Sequence, residues 1–174
     1  MSDTLITVIA IFIAVVLMFV FPLMSVSERN DDVSELAVQS ATTDFVNKVK
    51  TSGVVTRQNY DAFIQTLNAT GNTYDVDVEL KILDENLSSK VGQASSQKIG
   101  ENVYYSVYTS QMESELEKSN KYVLKEGDKI SVTVKNTNVT IAQMLKNFFY
   151  SITGNDSYQI AASKVEMITV NGKW

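Results

Sequence analysis

The sequence predicts an α+β protein in which a long N-terminal helix, transmembrane and then amphipathic, packs on a small, mainly antiparallel sheet. Three observations carry this. Leu5 to Met24 is an uncharged run in which 18 of 20 residues are apolar, the exceptions being Thr7 and Pro22. From Asp31 onward apolar residues recur at helical spacing, with no strong breaker between the two stretches. Further along, Tyr74 to Ile82 and Ile130 to Val134 alternate apolar and polar, the period of a half-buried strand.

The apolar run comes first. At ~1.5 Å per residue it makes a helix ~30 Å long, the thickness of a bilayer's hydrocarbon core. Apolar side chains surround it with no polar stripe, as lipid exposure requires. Leu5, Ile9, Phe12, Val16, Phe19 and Met24 are the candidate anchor residues. Ala10 and Ala14 form a small-xxx-small pair that permits close approach of a second helix in the membrane. Pro22 sits near one end, where a lost hydrogen bond does least damage. Two other readings compete. A cleavable signal peptide would carry a basic start and a shorter core, whereas this chain begins Met1-Ser2-Asp3-Thr4; Ser25-Val26-Ser27 does resemble a small-x-small cleavage site. A buried core helix would need the remaining ~150 residues to wrap it on every side. The flank Glu28, Arg29, Asp31, Asp32, Glu35 holds one positive and four negative charges, so the basic-residue rule says little about orientation. A short N-terminus before a large polar domain places residues 1–27 as the anchor. Residues 28–174 form an extracytoplasmic head of a single-pass cell-membrane protein.

The head's elements follow in order. Val33, Leu36, Ala37, Ala41, Phe45 and Val49 give the amphipathic continuation, ending near Thr51 with Gly53 as its stop. Thr56 caps a second helix whose Tyr60, Phe63, Ile64 and Leu67 share a face, and Gly71 ends it. In the strand that follows, Tyr74, Val76, Val78, Leu80 and Ile82 face one way. Asp75, Asp77, Glu79 and Lys81 face the other. Asp84 to Asn102 reads as a long mobile loop, rich in Ser, Gly, Gln and Asn. Val103 to Tyr108 is a short strand. Ser110 to Lys118 is a charged helix held by Met112 and Leu116. Glu126-Gly127-Asp128 marks a turn before the strand carrying Ile130, Val132 and Val134. Thr140 caps a further helix, with a stripe of Ile141, Met144, Leu145, Phe148, Phe149 and Ile152, stopped by Gly154. Tyr158 to Val170 closes the chain as a strand, with Val165, Met167 and Thr169 on its apolar face.

Composition excludes several functions. The 174 residues suit one domain of ordinary size, and 15 basic against 20 acidic residues leave a net charge of −5, which argues against nucleic acid as a partner. The absence of Cys and His removes a disulfide scaffold, a Cys/His zinc site, a Cys nucleophile and a His base. The acidic row Asp75, Asp77, Glu79 steps ~6.5–7 Å at a time along a strand, too far apart to share one cation, and reads as a solvated face. Tyr104, Tyr105 and Tyr108 read as ordinary strand composition. No catalytic, cofactor-binding or metal-binding constellation is present in the sequence, so no enzyme activity and no cofactor is expected.

One stretch carries a resemblance. Phe45-Val46, Val49 and Gly53 are followed by Tyr60, Phe63, Leu67, Thr70-Gly71, Tyr74-Asp75-Val76 and Val78-Glu79. This run, about a fifth of the chain, resembles the TadE-like, pilin-like pseudopilin proteins of tight-adherence pilus systems in Gram-positive anaerobes. The resemblance implies a pilin-like fold and a component or assembly factor of a type IV-like pilus or secretion machine. Its partners would be the lipid bilayer and other pilin-like or pilus-assembly membrane proteins, in homo- or hetero-oligomers. The sequence departs from the prepilin pattern in one respect. It has no small residue followed at the fifth position by Glu, and Asp3 is a poor analogue of that Glu, which puts processing and filament incorporation in question. The alternative expectation is a membrane-tethered ligand-binding or sensor domain, which would need a deep apolar pocket in the head.

Overall fold

The computed structural model describes residues 2–84, 104–153 and 160–173. The loop expected over Asp84 to Asn102 lies, beyond Asp84, outside the described residues, as do Gly154 and the start of the last expected strand. The architecture is α+β, with a long N-terminal helix against small antiparallel sheets.

Helix α1 (Ser2–Ser52) runs unbroken through Pro22, so the span and its amphipathic continuation are one element. Its 51 residues make a rod roughly 75 Å long. Thr7, the hydroxyl inside the apolar run, donates to the Asp3 carbonyl at 2.8 Å and so carries its partner within the helix. β1 (Val54–Thr56), α2 (Arg57–Asn68) and β2 (Tyr74–Leu83) follow. Next come β3 (Tyr104–Tyr108), α3 (Thr109–Ser119), β4 (Lys121–Val123), β5 (Lys129–Asn136), α4 (Ile141–Thr153) and β6 (Ala161–Met167). A four-stranded antiparallel sheet has the order β3-β2-β5-β6, and β1 pairs with β4 in a separate two-stranded ladder.

The core lies between the inner face of the larger sheet and the two helices α1 and α2. Val78 and Leu80 from β2 and Ile130, Val132 and Val134 from β5 are buried there. They meet Val38, Phe45, Val46 and Val49 of α1 and Phe63 and Leu67 of α2. Phe45 stacks on Phe63 with ring centroids 4.7 Å apart and also touches Tyr60. Thr56 caps α2 as its sequence predicts, its hydroxyl accepting from the Asn59 amide. Met112 and Leu116 are fully buried, so two anchors hold the charged helix α3 in place.

Four features differ from the sequence expectation. The two three-residue strands β1 and β4 were not anticipated; their pairing joins Val55 to Tyr122 across the chain, and three residues show no period. On α1, Val33 and Leu36 are 59% and 66% exposed, while Asp31, Ser34, Val38 and Thr42 face inward. On β6, Val165 and Met167 lie on the outer face; Ala162 is buried, and Lys164 and Glu166 share its side of the strand. On α4, Ile141 and Met144 turn outward and Ala142 and Gln143 are buried. The last three have one cause. α1 lies against both α4 and β6, and a helix approaches closely where the facing side chain is a methyl group or a polar group with a partner.

The lower end of α1 is tied to the C-terminal segment. Gly53 takes φ +66°, with its amide donating to the Val49 carbonyl. Its carbonyl accepts from the Leu124 amide at 2.8 Å, and Leu124 in turn accepts from the Gly172 amide at 2.9 Å. A Cβ on Gly53 would stand 2.5 Å from the Gly172 nitrogen, so the backbones meet where only glycine fits. Thr169 donates through both its amide and its hydroxyl to the Lys50 carbonyl, an orphan acceptor of the helix end.

Candidate functional site

Two adjoining surfaces stand out, the apolar half of α1 and its junction with the head. Every residue from Asp3 to Phe19 is exposed, including Leu5, Ile9, Phe12, Val16 and Phe19; Met24, a turn further on, is half-buried. Ala10 and Ala14 are exposed as well, one turn apart, with no element of the head against them among the described residues. The helix is long and apolar enough to cross a membrane, and its most apolar stretch is not buried in the protein at all. That observation removes the buried-core reading of the run. Length and composition alone are shared by a membrane anchor and a signal sequence.

At the junction, α4 is clamped onto α1 by polar groups. The Thr140 hydroxyl accepts from the Gln143 amide at 3.2 Å, and the Gln143 side chain accepts from the Thr140 amide at 3.1 Å, a reciprocal cap of the helix start. The same hydroxyl donates its proton to the Asp31 carboxylate at 2.7 Å. Asp31, Thr140 and Gln143 are all buried. Six residues on from Thr140, Lys146 pairs with Glu28 at 3.3 Å. A groove of about 500 Å³ opens beside this clamp, lined among others by Leu23, Val26, Val139 and Ile141. In the sequence Asp31 is one of four acidic charges flanking the run. The Thr140-x-x-Gln143 spacing was the legible half of the device, and nothing local to Asp31 announces its partner 109 residues away.

The acidic row of β2 is engaged at the sheet surface. Glu79 accepts from the Ser106 hydroxyl at 2.6 Å, and Asp77 accepts from Thr109 at 3.3 Å. Among the described residues no group of three or more carboxylates is placed to hold a metal ion. Tyr104 donates to the Gly127 carbonyl and lies beneath the Lys129 ammonium, 4.5 Å from its ring centroid. Among the titratable groups displaced from their ordinary range are Tyr60 and Glu166. Burial raises the Tyr60 hydroxyl, and its hydrogen bond to Glu113 at 2.7 Å raises it further. Hydrogen bonds from Lys50, and then from Lys164, hold the Glu166 carboxyl below the usual carboxylate range. Each has a structural partner that accounts for it. No protein-family model matches the chain, and no curated protein or solved structure matches it.

Proposed function

We propose that this chain is a single-pass membrane protein whose head stands on the extracytoplasmic side, serving as a pilin-like, TadE-like component or assembly factor of a type IV-like tight-adherence pilus or secretion machine. It works by helix packing and protein contact, without catalysis. The observation that carries the reading is the continuity of α1: one helix holds a bare apolar run at one end and the core of the head at the other. Such a rod transmits the position of the membrane directly to the head. Val33 and Leu36 are exposed on the part of α1 that follows the run, on the side away from its buried face, where a neighbouring helix of the same kind would pack. The core between α1, α2 and the sheet is filled by large side chains, which favours contact through surfaces over a ligand held inside the head.

The test combines intact mass with accessibility. Protein taken from membranes should need detergent for release and keep its first 27 residues. Protease added to intact cells should cut the head. Cysteine placed at Val33, in a chain that has none of its own, should cross-link to a neighbouring copy or partner helix. A mature chain that lacks the run, or that partitions into buffer, ends the anchor reading. A head cut only after lysis reverses the orientation.

A further inference from the structure

Helix α4 turns apolar residues away from the head's core. Ile141 and Met144 are 52% and 55% exposed, Val139 just before the helix is also exposed, and the side packed on α1 carries Ala142 and Gln143. An amphipathic helix normally does the reverse. What covers the outward face follows from where α4 runs. Two polar contacts tie it to α1: Thr140, at its cap, to Asp31, and Lys146 to Glu28. The contact point moves toward the N-terminus of α1 as α4 advances, so α4 descends toward the apolar run. Lys146 is its last charged residue. From Lys146 to Thr153 is about 10 Å of helix; at the advance those two contacts show, half as far along α1 as along α4, it ends near the level of Met24, at the edge of the run. The groove beside Val139 and Ile141 has Leu23 and Val26 as its opposite wall. Anything that covers this face therefore sits at the level where the span leaves the hydrocarbon.

We infer that α4 is a membrane-contact helix, its outward face at Val139, Ile141 and Met144 resting in the headgroup–acyl boundary of the bilayer that α1 spans. This rests on the anchor reading of α1 and extends it: the head is held against the lipid surface at a second point instead of swinging on a single stalk. Apolar side chains presented at this depth are buried in the boundary region, as those of interfacial helices are. The Asp31–Thr140 bond and the Glu28–Lys146 pair fix its height, with Leu23 and Val26 of α1 facing Val139 and Ile141 across the groove at the same level.

The chain has no cysteine, so single substitutions carry unique spin labels. The full chain is reconstituted in phosphatidylcholine–phosphatidylglycerol vesicles with the label at Met144→Cys or Ile141→Cys. Phe12→Cys serves as the span reference and Gln65→Cys as an exposed reference on the head. Collision with oxygen is compared with collision with a water-soluble nickel chelate. The labels at 141 and 144 should show an oxygen-to-nickel ratio several-fold above that at 65 and below that at 12. Ratios at 141 and 144 equal to that at 65, with lipid contact retained at 12, overturn the inference and leave the anchor intact. A water-like ratio at 12 as well overturns both. Spin–spin broadening at 144 that disappears on dilution with unlabelled chain means a second copy covers the face, and also overturns it.

Discussion

The two halves of α1 share one backbone conformation and opposite surroundings. Up to Met24 the helix is apolar on all sides and almost bare. From Asp31 to Ser52 it is amphipathic and packed on a sheet, and there it buries Asp31, Ser34 and Thr42 while leaving Val33 and Leu36 outside. In the first half an exposed Phe is at home where, as proposed, the surrounding medium is lipid. In the second, a buried polar group is at home because it has a partner: Thr42 donates to the Val38 carbonyl at 2.7 Å, and Asp31 accepts from Thr140. Hydrophobicity alone therefore does not say what is inside this protein; the medium or partner at each height along the rod decides it.

The sharpest break between the halves should come from removing one ring from each. Phe45→Ala empties the site stacked on Phe63 in the core and should cost the head about 3–5 kcal/mol, read as a large fall in its urea midpoint in detergent. Phe12→Ala should leave that midpoint within about 0.5 kcal/mol of the parent. Equal effects would mean the apolar half packs on the head after all. The reverse experiment places a charge in each half. Val16→Arg, near the middle of the run, should cost roughly 2.5–3.5 kcal/mol of membrane insertion. The readout is loss of protein from the membrane fraction with the head's circular dichroism unchanged. Ser40→Arg, on the exposed side of the packed half, should change neither.

Most of the packed half and its sheet was legible because the information is local. Val76, Val78 and Leu80 alternate with Asp77 and Glu79, and Thr56 stands before Tyr60 and Phe63 at cap spacing, so β2 and α2 declare themselves within a few residues. The candidate anchor was legible for the same reason: twenty residues without a charge need no partner to be read. What failed was the assignment of faces wherever α1 is the partner. Periodicity reports which side of an element is more apolar, and on the first turn of α4 and on β6 the less apolar side packs inward. There Ala142 and Ala162 give α1 room, and Gln143 and Glu166 find hydrogen bonds. The Lys50–Glu166 and Asp31–Thr140 pairings span more than a hundred residues of sequence and leave no local trace.

The junction between the halves can be tested with neighbouring carboxylates. Asp31→Ala removes the acceptor of the buried Thr140 hydroxyl and should lower the head's stability by about 1–3 kcal/mol. Asp32→Ala, exposed beside it, should stay within about 0.5 kcal/mol of the parent. If both are silent, Asp31 does not hold α4, and the clamp that sets the helix's height is Lys146 and Glu28 alone.

The smallest expected effect lies at the far end of the packed half, where Glu166 receives Lys50 at 2.9 Å and Lys164 at 3.1 Å. The folded carboxyl is held below its ordinary range, chiefly by Lys50. Above that range the folded and unfolded chains are both ionised, and the contribution to stability is complete. As the pH falls, the unfolded chain takes up the proton first while the folded one still resists it, so stability declines until the folded carboxyl is protonated too. The difference in urea midpoint between the parent and Glu166→Gln should therefore be greatest at neutral pH and shrink as the medium is acidified. All three side chains are partly exposed, so salt should reduce the difference at neutral pH. Because Thr169 also ties this end to the Lys50 carbonyl through uncharged bonds, the helix end should stay docked after the ion pair is gone. Undocking of the C-terminal segment on acidification alone would mean that the charge pair, and not the backbone contacts around Gly53, fastens α1 to the rest of the head.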